Sequence, residues 1–336
     1  MTHLKTLGKL GEVATIRLLQ AFLDTTPHLG QNEDAYLYSN TPPHILVNVD
    51  TMSRASDFLP QQTWSQIGTK LVATTFSDLA AKGALPELFL ASLALENSMY
   101  EEELKELVSS IQITAHKYQA RYLGGDLGSS QETVLTGVGI GSIPSGKILT
   151  RRDAAIGDLV CVTGYFGLTT IGLDYLLSSE QRRVSEVPTD LMNRALNLLF
   201  EPMPQILAGR VLSEHRLATA SIDCSDGLAI SLHWLAQASN VGVLLRTLPI
   251  YPELEPYLET NLVAQDITLY GGEEYVLVFT ISPAQLDELK RTFEQNDLKY
   301  LVIGECVSNS GVFLEVGGTS TPVPMRGWDA FQGGIR

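Results

Sequence analysis

Cysteine is scarce, with only Cys161, Cys224 and Cys306 among 336 residues. They form no C-x-x-C pair and no even framework, which excludes a disulfide scaffold and a thiolate zinc site and fits a reducing compartment such as the cytoplasm. Positive charge is also short: 23 Lys and Arg stand against 38 Asp and Glu, giving a net charge of −15 and a pI of about 4.8. A field of that sign repels nucleic-acid backbones and anionic membranes. A small anion such as a nucleotide can still bind if divalent cations invert the local charge. No apolar run approaches the ~20 residues of a membrane span. Residues 1–23 read as an amphipathic helix interrupted by Lys5, Lys9, Glu12 and Arg17, with no signal peptide or anchor. No G-x-x-x-x-G-K-[ST] occurs and no G-x-G-x-x-G opens a helix, which removes the P-loop and Rossmann routes to nucleotide binding. Internal repeats at solenoid or propeller periods and low-complexity segments are lacking too.

What remains is an ordinary globular composition, 44% hydrophobic and 18% charged, in a chain long enough for two medium cores. Short apolar runs alternate with longer helical patterns, so the fold class is mixed α/β (α+β). The patterning predicts strands over 44–50, 88–95, 120–124, 133–143 and 158–163, and helices over 60–82, 100–118 and 168–177. The second half repeats the style, with strands over 218–222, 242–246, 275–281, 301–305 and 312–316. Its helices fall over 189–199, 203–214, 227–239 and 283–295. Turn formers and basic residues crowd residues 144–157, which divides the chain into domains 1–148 and 149–336.

The carboxylates carry the chemistry. Asp50 closes the apolar run Ile45-Leu46-Val47-Asn48-Val49-Asp50, Asp126 follows Gly124-Gly125, and Asp223 closes Ala220-Ser221-Ile222. Asp78 lies in a small-residue helical stretch. Acidic groups at the ends of apolar strands face a cleft from a rigid platform, and hard divalent cations prefer their oxygens. Any one of them reads equally well as a helix cap or turn residue. The set is harder to treat that way, because Asp223-Cys224-Ser225-Asp226-Gly227 places two carboxylates and a hydroxyl at one strand-to-helix junction, where orphan N–H groups also attract phosphate. Glycines flank the same regions in Gly124-Gly125-Asp126 and Gly271-Gly272-Glu273-Glu274-Tyr275. They permit close backbone approach or a tight turn.

Read in order, these motifs resemble the thiamine-monophosphate kinases, in the superfamily of aminoimidazole ribonucleotide synthetase. The likeness runs through Glu33-Asp34-Ala35, Val49-Asp50-Thr51, Ser77-Asp78-Leu79-Ala80-Ala81-Lys82-Gly83-Ala84, Gly124-Gly125-Asp126, Leu149-Thr150-Arg151, Ser221 to Leu228, Gly271 to Tyr275 and Gly327-Trp328-Asp329-Ala330-Phe331. It implies a two-domain fold whose N-terminal domain forms the sheet of a homodimer. It also implies transfer of the ATP γ-phosphoryl group to thiamine monophosphate. By the same resemblance Asp34, Asp50, Asp78, Asp126, Asp223 and Asp226 hold several Mg²⁺ ions, and Gly125, Asp126, Arg151 and Ser225 meet ATP. Asp57, Glu273 and Trp328 meet the substrate, and Asp78, Asp126, Arg151 and Asp226 carry the catalysis. Such a transfer needs positioning and charge neutralisation more than a protein nucleophile. Arg151 is the one basic residue expected to stabilise developing charge.

The sequence departs from the pattern in places. Asp57 stands where the resemblance expects a histidine before Phe58. Asn48 and Val49 replace hydroxyl residues expected to help ligate metal, Glu33 replaces an Asp, and Leu199-Phe200-Glu201-Pro202-Met203-Pro204-Gln205 replaces a basic stretch. Three readings are open at this point: the kinase itself, a related ATP-dependent enzyme with a different small acceptor, and a catalytically reduced nucleotide-binding homodimer.

Overall fold

A computed structural model describes residues 13–14, 34–39, 43–177, 184 and 187–331. The amphipathic helix expected over 1–23 and Glu33 therefore lie almost wholly outside the described residues. Two sheets carry the chain. The first contains β1 (Tyr36–Ser39), β2 (His44–Ser53), β3 (Leu85–Glu96), β4 (Arg121–Ser130) and β5 (Val134–Ile143), in the order β1-β2-β5-β3-β4. Its pairings are antiparallel except β3 with β4. Helices α1 (Trp64–Ala81) and α2 (Glu101–Lys117) belong to this half. The second sheet has seven strands: β6 (Leu159–Val162), β7 (Ala218–Cys224), β8 (Gly242–Leu245), β9 (Val276–Ile281), β10 (Leu301–Val307), β11 (Gly311–Val316) and β12 (Thr319–Pro322), in the order β12-β11-β8-β10-β6-β9-β7. Around it lie α3 (Leu168–Leu177), α4 (Thr189–Phe200), α5 (Ile206–Glu214), α6 (Leu228–Ser239), α7 (Asn261–Leu269) and α8 (Leu286–Gln295). Among the described residues no helix is long and apolar enough to cross a membrane.

The element that organises the molecule is α1. It begins at Trp64 and not at the predicted residue 60, because Thr63 caps it: its hydroxyl accepts from Gln66 N–H at 3.2 Å while Gln66 Oε1 accepts from Thr63 N–H at 3.0 Å. Thirteen of its 18 residues are buried, since it packs against β2, β3 and β5 on one side and β7 and β9 on the other. A helix buried on both sides must be lean, and this one is built from Thr, Ser, Ala and Leu. Its sheet partner is lean as well. Gly137, Gly139 and Gly141 recur at period two along β5, and a Cβ at Gly137 would stand 2.4 Å from Thr75 Oγ1. Leu71, Phe76 and Leu79 of α1 fill the first core with Leu46, Phe89, Leu107 and Ile111, and Ala80 and Ala81 join a second cluster with Leu212 and Phe279.

Several elements differ from the periodicity reading. The Gly-Gly-Asp segment is strand, not loop: β4 runs on to Ser130 because β3 offers a paired edge as far as Glu96. Likewise β2 continues past Asp50 to Ser53, paired with β5 throughout, so Asp50 and Asp126 are mid-strand residues and not strand ends. The helix expected from residue 203 starts at Ile206, after Pro202 and Pro204, and residues 283–285 form a separate 3₁₀ turn before α8. Strands β1 and β12, helix α7 and the 3₁₀ turn Pro252–Tyr257 were not anticipated. They are short and polar, and are held by tertiary pairing more than by their own pattern.

Candidate active site

Docking α1 between the sheets assembles three carboxylates that are far apart in sequence. Asp34 precedes β1, Asp78 comes from α1 and Asp223 from β7, and one oxygen from each lies within 4.8 Å of the others. Asp34 is fully enclosed. Lys82 Nζ stands 2.5 Å from its Oδ2, and Arg151 Nη2 donates to its Oδ1. Asp78 Oδ2 accepts from Asn48 Nδ2 at 2.9 Å, and Asp223 Oδ2 accepts from Ser77 Oγ at 2.9 Å.

Their electrostatics divide the cluster. Burial works against the charge on Asp34, but Arg151 and Lys82 outweigh it and hold the carboxyl below its ordinary range. Asp78 has no such cation: burial first, then Asp223, Asp34 and Asp50, push it well above the usual value. Burial and the charge of Asp34 push Asp223 up to about 7. Burial also raises Asp50, opposed by hydrogen bonds from the Thr74 hydroxyl and the Thr51 N–H. The two resident cations thus bond to one carboxylate of the cluster and lower Asp223 only in part, so that Asp223 and Asp78 stay above the ordinary carboxylate range.

Beside the cluster opens a cleft of about 820 Å³. Of the residues singled out from sequence, Asp50, Asp57, Asp78, Asp223, Ser225, Asp226, Glu273 and Trp328 line it, while Asp34 and Arg151 sit behind its wall. Three backbone latches hold the far wall: Glu273 N–H to Ser225 O at 2.7 Å, Tyr275 N–H to Cys224 O at 2.9 Å and Trp328 N–H to Asp226 O at 2.9 Å. The approach demands glycine at Gly272, where a Cβ would stand 2.7 Å from Ser225 O. Glu273 and Tyr275 adopt φ of 70° and 51°, a left-handed conformation that non-glycine residues hold only when their surroundings enforce it. Lys70 supplies part of that enforcement. Its ammonium meets both Glu273 oxygens at 2.9 and 2.8 Å, and Tyr275 Oη donates to Glu273 Oε2 at 3.1 Å.

Gly125 and Asp126 are not part of this assembly. They line a separate hollow of about 650 Å³ with Leu104, Val108 and Tyr122. Asp126 is exposed on edge strand β4, three strand spacings from Asp50 on β2, or roughly 14 Å. The expectation that Arg151 is the lone placed cation is corrected by Lys70 and Lys82, which are 1% and 0% exposed. The sequence held a signal for both: Lys70, Thr74, Asp78 and Lys82 recur every fourth residue, a polar stripe on an otherwise apolar helix.

Residues 32–143 match the family described as AIR synthase related protein, N-terminal domain, and residues 155–317 match its C-terminal domain. The thiamine-monophosphate kinase of Archaeoglobus fulgidus is 31% identical over 327 residues, covering 96% of this chain and 99% of that protein. The chain belongs to the thiamine-monophosphate kinase family. The thiamine-monophosphate kinase of Bacillus subtilis is 32% identical over 313 residues, covering 90% of this chain and 94% of its own. Among solved structures, AaThiL complexed with AMPPCP and TMP superposes with a TM-score of 0.83 at 24% identity, over 98% of this chain and all of that one, which establishes the shared fold.

Two departures from the thiamine-monophosphate kinase pattern take on a different meaning in the structure. Asp57 lines the cleft, but its Oδ2 is engaged within its own turn, accepting from Ser53 N–H at 2.8 Å and Ser56 Oγ at 2.5 Å. Val49 is 57% exposed on the sheet face away from α1 and its side chain points away from the cluster, whereas Asn48 is buried and steadies Asp78. Strand alternation separates the two, so Val49 costs the cluster nothing.

Proposed function

We propose that this protein transfers the γ-phosphoryl group of ATP to the phosphate of thiamine monophosphate, releasing ADP and thiamine diphosphate. The observation that carries the reading is the Asp34, Asp78 and Asp223 cluster opening onto a cleft large enough for a small-molecule substrate. The donors are hard oxygens within 4.8 Å of one another, and the neighbouring carboxylates raise Asp78 and Asp223 beyond what burial, the main cause, does alone, so the residues fit Mg²⁺. Asp78 and Asp223 would hold it, with Asp50 and Asp226 at the cleft wall. When bound, Mg²⁺ neutralises phosphate oxygens of donor and acceptor and offsets their mutual repulsion.

The remaining work is positioning. Glu273, fixed by Lys70 and Tyr275, and Trp328, latched to Asp226, hold the thiamine moiety against the far wall. Ser225 and Arg151 serve the ATP phosphates, Arg151 from behind Asp34. Gly125 and Asp126 serve ATP at the outer hollow, which a second copy completes: the N-terminal sheet leaves Val49 and Leu123 exposed, 57% and 53%, on its face away from α1, as the face of a homodimer. The division between domains falls at 148/149, between β5 and β6. Three free, buried cysteines suit the cytoplasm. A different acceptor was suggested by Asp57 and by the missing basic stretch at 199–205, and the engagement of Asp57 Oδ2 by Ser53 and Ser56 weakens the first of these grounds.

The test is calorimetric titration of thiamine monophosphate in the presence of Mg²⁺ and AMPPCP, followed by an assay of ATP plus thiamine monophosphate for thiamine diphosphate. Mg²⁺-dependent turnover that collapses in Asp78→Ala is expected. Nucleotide binding with no response to thiamine monophosphate sinks the reading.

A further inference from the structure

Lys82 and Asp34 are fully buried charges of the site, each with a side chain 0% exposed. Lys82 holds its ammonium 2.5 Å from Asp34 Oδ2 and 3.4 Å from the carbonyl oxygen of Ser221. It is the C-cap residue of α1, where the negative end of the helix dipole favours a cation. Arg151 holds the other oxygen of the same carboxylate. Both oxygens of Asp34 are therefore occupied by cations that belong to the chain. A lysine is tolerated in such a place only when its charge is matched, and here the match is one member of the cluster.

We infer that Lys82 is a resident cation of the carboxylate cluster, its ammonium occupying the side of Asp34 that a divalent ion would otherwise fill. The inference rests on the reading that Asp78 and Asp223 hold a divalent ion. It makes Lys82 a positioning residue: it fixes Asp34 and confines metal to the Asp78 and Asp223 side. A divalent ion on Asp34 Oδ2 would have to displace an ammonium that sits 2.5 Å from that oxygen at the C-terminal end of α1. The cluster accordingly takes one metal fewer than three unpaired carboxylates would.

The probe is Mn²⁺, used with the full-length protein. Anomalous scattering from Mn²⁺-soaked wild-type crystals is expected to show metal at Asp78 and Asp223 and none within ligand distance, ~2–2.5 Å, of Asp34 Oδ2. Metal on Asp34 Oδ2 with Lys82 swung aside overturns the inference and leaves the proposed function standing. No Mn²⁺ anywhere in the cluster overturns both. Counted by electron paramagnetic resonance, Lys82→Met, which keeps the volume and removes the charge, is expected to bind one more Mn²⁺ per chain than wild type. Lys82→Arg is expected to match wild type. Equal counts for Lys82→Met and wild type overturn the inference, and the wild-type soak decides the matter even where the variant does not fold.

Discussion

The ion pair between Lys70 and Glu273 joins the two halves of the molecule across the cleft, and breaking it is the most direct test of how the site is held. Lys70 is 2% exposed at its side chain and Glu273 25%. Removing one partner of a fully buried pair costs about 3–5 kcal/mol, because the other charge is left without compensation. Water reaches a quarter of the Glu273 side chain, so Lys70→Met is expected to cost less, about 2–3 kcal/mol. The loss should reappear as coupling. In a double-mutant cycle with Glu273→Gln, the pair is expected to show an interaction energy of about 1–2 kcal/mol, read from urea midpoints at unchanged m-value. Kinetics separate positioning from mere stability. Glu273 sits at φ 70° on the far wall, so without Lys70 the KM for thiamine monophosphate is expected to rise about tenfold while that for ATP stays within about twofold. A coupling below about 0.5 kcal/mol, or equal losses toward both substrates, refutes the clasp.

Three further outcomes are expected. Glu274 is half-buried with its carboxyl enclosed, Gly167 N–H donating to one oxygen and no hydrogen bond reaching the other, and burial pushes the carboxyl up to about 8 from 4.5. The native state then binds more protons than the unfolded chain between pH 4.5 and 8, so this group's contribution to stability is full below 4.5 and is lost as pH rises to 8. Glu274→Gln should flatten that decline by up to about 4 kcal/mol, measured by urea unfolding at pH 5 and pH 8.5, and an unchanged slope contradicts it. Gly209→Ala places a Cβ 2.0 Å from the Ala80 carbonyl oxygen, where α5 crosses α1. Overpacking there is expected to cost roughly 3 kcal/mol, and a thermal midpoint within a degree of wild type would contradict the packing. Asp126→Asn, on an exposed edge strand, should leave stability within about 0.5 kcal/mol but weaken AMPPCP binding about tenfold by calorimetry, and undiminished binding removes Asp126 from the nucleotide site.

Local periodicity was enough to find the strands that became β2, β3, β5, β7 and β9 and the helices that became α1 to α6. In most of these one face is more buried than the other, and burial writes its period into the sequence, while β9, buried throughout, shows as a short unbroken apolar run. It was not enough for β1, β12 or α7, whose order comes from pairing with a neighbour already in place. Motif order brought out Asp34, Asp78, Asp223, Ser225 and Glu273: Asp223 and Ser225 stand out because two carboxylates and a hydroxyl at one strand-to-helix junction have few other uses, Glu273 by its neighbouring glycines, and Asp34 and Asp78 by the family resemblance. It also grouped Asp126 with them, although the sheet order β2-β5-β3-β4 sets Asp126 three strands away. The opposite error hid Lys70 and Lys82, which look like surface lysines unless the stripe they form with Thr74 and Asp78 at every fourth residue is taken as buried. By itself, then, the sequence determined most of the elements, the two-part architecture and the acidic character of the site, all of which follow from side-chain type and short-range spacing. Only the tertiary structure decided which charges meet. Lys70 reaches Glu273 across 203 residues and Lys82 reaches Asp34 because α1 is wedged between two sheets, and contacts made by docking leave no period along the chain.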